Sequence, residues 1–128
     1  MKKVLILTLA FGLFIVAGLL AHEPKGKTET AKTPGAMLTG EVVCLFCYMD
    51  HEATGPKHAA CAASCAKRGV PMAILEEKTG NVYAVVKGHG GANTTLEPYA
   101  GKKVVLSGRW FERGGTKVFD LNTVAESK

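Results

Sequence analysis

The stretch Lys102–Val124, KKVVLSGRWFERGGTKVFDLNTV, decides the fold. Two runs rich in Val, Leu, Phe and Trp flank Glu112-Arg113-Gly114-Gly115, so Lys102–Phe111 and Thr116–Val124 read as a β-hairpin. The pattern recurs upstream, where Pro71–Leu75 (PMAIL) and Asn81–Lys87 (NVYAVVK) flank the turn residues Glu76–Gly80. Met37–Leu45 (MLTGEVVCL) is β-prone and supplies a first strand. Gly88–Asn93 reads as a flexible glycine-rich connection, and Thr95–Ala100 as one helical turn. Five short strands with a helical turn between the third and fourth predict a mainly β fold, a small five-stranded OB-like barrel.

One helix interrupts this pattern after the first strand. In Thr54–Val70 (TGPKHAACAASCAKRGV), Gly55 can cap the start and Pro56 takes the first helical position, where its missing N–H costs nothing. Lys67 and Arg68 suit the negative end of the helix dipole. Gly69 suits the position just past the end, and Pro71 blocks continuation.

The 128 residues leave room for one domain. Lys2 and Lys3 followed by the apolar run Val4–Leu20 make residues 1–21 a signal peptide or an N-terminal anchor. Residues 22–36, HEPKGKTETAKTPGA, hold almost nothing to bury and read as a flexible tether. The domain then spans 37–128 with its cysteine insertion at 44–70, and its expected location is periplasmic or otherwise exported. Without Lys2 and Lys3 the 16 basic residues become 14, and 14 minus 11 acidic residues leaves +3. Scattered basic residues of that number are not a nucleic-acid signature. No second apolar run approaches the ~18 residues of a membrane span.

The segments TGEVV, HAACAASCAKRGVPMAIL, GNVYAVV and YAGKKVVLSGRW resemble a family of small exported bacterial proteins with an OB-like barrel and a cysteine-bearing insertion. The resemblance covers residues 38 to 124. It implies the fold and an exported location, and it brings no assigned activity.

The insertion holds the only chemical constellation. Cys44, Cys47, His51, His58, Cys61 and Cys65 fall within 22 residues, and all four cysteines of the chain are among them. On a helix, His58, Cys61 and Cys65 lie at i, i+3 and i+7 and project from one face. That face would look back at Cys44 and Cys47 at the end of the first strand. A metal site is expected from Cys44, Cys47, Cys61, Cys65 and His58, with His51 and Met49 as auxiliary ligands and Met72 also available to copper. Zinc or copper fits an exported chain better than an iron–sulfur cluster. A c-type haem is excluded because Tyr48 and Ala66 follow the cysteines where histidine would be needed. The alternative is a pair of disulfides from Cys44/Cys47 to Cys61/Cys65, pinning the helix to the barrel.

No catalytic constellation stands out. The C-x-x-C pair is expected at a strand end, away from the helix start that activates a thiol. The glutamates look surface-placed, and of Trp110 and Phe111, adjacent on one strand, one is expected to be exposed. The sequence therefore reads as an exported metal-binding or electron-transfer accessory with a protein partner in the cell envelope. The other reading is a disulfide-stapled interaction module.

Overall fold

The structure, a computed structural model, describes residues 33–128. The export-segment reading and most of the tether reading lie outside the described residues. Six strands form: β1 (Thr33–Cys44), β2 (Met72–Glu76), β3 (Val82–Lys87), β4 (Gly90–Gly91), β5 (Lys103–Arg113) and β6 (Thr116–Glu126). Three helices accompany them: α1 (Leu45–His51), α2 (Ala59–Lys67) and α3 (Asn93–Leu96). Among the described residues no helix is long and apolar enough to cross a membrane.

Five strands close a barrel in the order β1, β2, β3, β6, β5 and back to β1, with β3 and β6 parallel and every other pair antiparallel. This is the OB-like barrel expected from the sequence, and the two-residue β4 is an addition on the outer side of β3. The β5–β6 turn tightens to Gly114 and Gly115, both at positive φ, the backbone a two-residue hairpin turn demands.

β1 curls to serve two neighbours, β5 along Thr33–Glu41 and β2 along Gly40–Cys44. It starts at Thr33, inside the stretch read as tether. Two unpaired residues between Thr33 and Ala36 break the register there, and both ends of the break pair with β5. Val42, Met72, Ile74, Leu96, Val104, Leu106 and Phe119 are fully buried and form the barrel core.

The insertion folds as two helices rather than one. α1 was not visible in the sequence; it ends in Glu52 at φ 53°, whose N–H donates to the Tyr48 carbonyl. A 3-10 turn, Pro56–His58, then leads into α2. The C-terminus of α2 follows the sequence signals. Gly69 takes the left-handed conformation, its N–H donates to the Ala66 carbonyl, and the Val70 N–H donates to Cys65.

Asn93 corrects the flexible reading of 88–93. Its Nδ2 donates to the carbonyls of Ala66 (3.0 Å) and Val70 (2.8 Å), and its Oδ1 accepts from the Met72 N–H at 3.3 Å. One side chain thus ties the end of α2 to the start of β2. Asn93→Leu, which removes these partners from part-buried groups, is expected to cost about 2 kcal/mol in urea unfolding.

Trp110 and Phe111 are both half-buried, neither standing free. Trp110 meets Tyr83 edge-on at 6.0 Å, and Arg109 lies over the Phe111 ring. Arg109 also donates to Asp120, and the Gly88 N–H donates to the other carboxylate oxygen. First Arg109, then Gly88, hold the Asp120 carboxyl below its ordinary value. A depressed carboxyl stabilises the fold above its unfolded pKa, and that contribution disappears as pH falls through the folded value. Asp120→Asn is therefore expected to lower the urea midpoint at neutral pH. Its deficit against the native chain should shrink below about pH 4.

Candidate metal centre

The end of β1 delivers the first sulfur. Cys44 is the last residue of the strand and the N-cap of α1, and the Leu45 N–H is held by the Pro71 carbonyl at 3.0 Å. Cys47 therefore lies in the first turn of α1, where a strand end was expected. Cys65 arrives from α2, whose Ala62, Cys65 and Ala66 form its buried stripe. All three cysteines are buried.

Their sulfurs lie within 4.8 Å of one another, close enough to hold a metal ion. The Cys47 and Cys65 Sγ atoms are 3.9 Å apart. A tetrahedral ion with metal–sulfur bonds of about 2.3 Å sets its sulfurs about 3.8 Å apart. The donor set thus fits a soft metal in chemistry and in spacing. All four cysteines carry free thiols in this structure.

Cys47 and Cys65 are shifted in opposite directions. Burial first, then hydrogen bonding with Cys44 and Cys65, pushes the Cys47 thiol up to about 12. Arg68 Nη2 donates to Cys65 Sγ at 3.3 Å and pulls that thiol down, against its burial. Arg68 thus favours the charged form of Cys65, while burial disfavours that of Cys47. A raised Cys47 is the opposite of an activated C-x-x-C nucleophile, although the pair does sit at a helix start.

Arg68 also bears on the charge the site could carry. Three thiolates around a divalent ion would leave one negative charge, which the Arg68 guanidinium on Cys65 is placed to offset. The sequence had offered Arg68 only as a partner for the helix dipole.

The other expected ligands divide. Cys61 is exposed and outside the three-sulfur group. It does line the cavity against Cys44 and Cys47, together with His58 and Glu41. His58 is half-buried, and its ring centroid is 6.0 Å from that of His51. His51 is exposed and paired with Asp50 at 3.0 Å. Met49 is 70 % exposed, while Met72 is fully buried in the core. Glu41, read as a surface residue, is half-buried and its carboxylate accepts the Gly55 N–H. That bond fixes the turn leading into α2.

Neither protein-family models nor curated proteins nor solved structures give a match to this chain.

Proposed function

We propose that this protein is an exported metal-binding accessory of the cell envelope, its barrel serving as a rigid mount for a zinc site built by Cys44, Cys47 and Cys65. The observation that carries the reading is the buried sulfur triad itself, within 4.8 Å in all its separations. Buried thiols at the spacing of a tetrahedral edge, with a guanidinium on one of them, suit a divalent soft ion. Cuprous copper on the same three thiolates would leave a negative charge that Arg68 alone does not offset. Zinc is also loaded after unfolded export, in keeping with the basic and apolar start of the chain.

The test is elemental analysis with thiol counting on full-length protein from its native compartment. The expected result is one zinc per chain, with Cys61 alkylated at once and the other three cysteines protected until a chelator is added. Two disulfides with no metal, before and after mild reduction and reconstitution, would replace the reading with that of a stapled interaction module.

A further inference from the structure

The sulfur triad is buried, yet the cavity against it has a rim of soft donors. Cys44 and Cys47 line the cavity from one side, and His58 and Cys61 line it from α2 and the turn before it. Its volume is about 10 Å³, room for one water-sized atom. Cys61 and Cys65 lie one helical turn apart, so α2 places one sulfur inside the site and the next at its mouth. His58 stands three residues before Cys61, on the same side of the helix. Its side chain makes no capping hydrogen bond to α2, and the neighbouring ring is that of His51. Glu41, the carboxylate in the cavity wall, is already committed to the Gly55 N–H, and Thr54 offers only a hard, neutral hydroxyl.

Three sulfurs satisfy three positions of a tetrahedral ion, and the fourth is left to whatever reaches it. A site meant only to hold the fold is closed by its fourth ligand. Here the soft donors on the approach are an exposed thiol and a half-buried imidazole.

Resting on the metal reading above, we propose that Cys61 and His58 form a capture position, through which a thiophilic cation carried on a donor's thiolate is passed into and out of the Cys44–Cys47–Cys65 triad. The exchange conserves charge and oxidation state. The bond from the metal to the donor sulfur breaks as the bond to Cys61 Sγ forms, and the Cys61 proton passes to the departing donor thiolate. The remaining metal–donor bonds and then the metal–Cys61 bond are replaced in turn by bonds to Cys44, Cys47 and Cys65, each incoming thiol passing its proton to the sulfur it displaces. His58 holds the ion through its imidazole while the sulfurs change places. No electron moves and no oxidant is required.

The experiment follows Zn²⁺ on the full chain. Zn²⁺ is delivered as a complex with a small thiol and withdrawn with a chromogenic chelator, for the native protein, Cys61→Ser, His58→Ala and the double variant. All are expected to bind one Zn²⁺ per chain at equilibrium. Loading and release are expected to slow by about tenfold in each single variant, the lower end of what groups supporting a metal site contribute. Met37→Ala, an exposed residue of β1, is expected to leave both rates unchanged. With Co²⁺ as a second probe, Cys61→Ser should keep the thiolate-to-cobalt absorption of the native protein.

Unchanged rates in the double variant would overturn the proposal while leaving the metal site standing. Loss of stoichiometric Zn²⁺ in Cys61→Ser would overturn it differently, by making Cys61 a permanent ligand. If the native chain takes up no Zn²⁺, both readings fall together, and that is known before any variant is made.

Discussion

Cys65→Ser is expected to abolish stoichiometric zinc and the thermal stabilisation that zinc brings. Arg68 donates to Cys65 Sγ and pulls that thiol down, so the substitution removes both a ligand and a sulfur that a guanidinium supports. Free zinc at a thousandfold excess over its dissociation constant stabilises a folded chain by about 4 kcal/mol. For a folded unit of this size that is a rise of roughly 15–30 °C in Tm. The native protein should show this rise and Cys65→Ser none of it. Melting both proteins without metal separates the effect from the cost of a buried hydroxyl, about 1–3 kcal/mol. A variant that still binds one zinc per chain would remove Cys65 from the site and end the triad reading.

The barrel strands were legible because their boundaries are chemical. Gly80, the Gly114-Gly115 pair and Pro71 punctuate runs of Val, Ile, Leu and aromatics, and the structure follows those marks to within one or two residues in β2, β3, β5 and β6. The end of α2 was legible for the same reason, since Gly69 fits the left-handed position that closes it. α1 was not legible. Phe46, Cys47, Tyr48, Asp50 and His51 are poor helix formers, and the segment is held by where it packs. A seven-residue helix of this composition has no signal of its own.

The site was legible as a cluster and misread as a geometry. Helical arithmetic places His58, Cys61 and Cys65 on one side of α2, but the rotation of that side against the barrel depends on the helix's apolar stripe. In a helix whose other residues are mostly alanine, every side is small and apolar, so the sequence sets no preferred rotation. Packing of Ala62, Cys65 and Ala66 turns Cys65 inward and leaves Cys61 at the rim. The roles of Arg68, Asn93 and Glu41 were out of reach for a related reason. Arg68 acts on a thiol whose burial the sequence did not give. Asn93 and Glu41 act on backbone 14 to 27 residues away, and only closure of the barrel brings those partners near.

That closure brings β1 against the β2 backbone at Gly40, and Gly40→Ala is expected to damage the fold severely. Gly40 pairs with Glu76 of β2 and with Val104 of β5, so β1 bends from one neighbour to the other at this point. A Cβ built there would sit 2.1 Å from the Leu75 carbonyl oxygen and 2.8 Å from its carbon. Both are backbone atoms held in the β1–β2 ladder, so neither can swing aside as a flexible side chain would. The strands must part or the bend must move, and forced overpacking of this kind costs about 1–3 kcal/mol even where side chains can yield. With backbone on the other side of the contact, the expected loss is about 3 kcal/mol or more in urea unfolding, enough to unfold a marginal domain. Gly91→Ala is the matched control, because a Cβ there meets nothing within 4 Å and the backbone is not at positive φ. It should change stability by no more than about 0.5 kcal/mol. Zinc should partly rescue Gly40→Ala, since Cys44 lies four residues further along β1 and a filled site anchors that strand to α2. If Gly40→Ala unfolds at the native urea midpoint, β1 does not need this close approach to serve both neighbours, and the account of how the barrel closes is wrong.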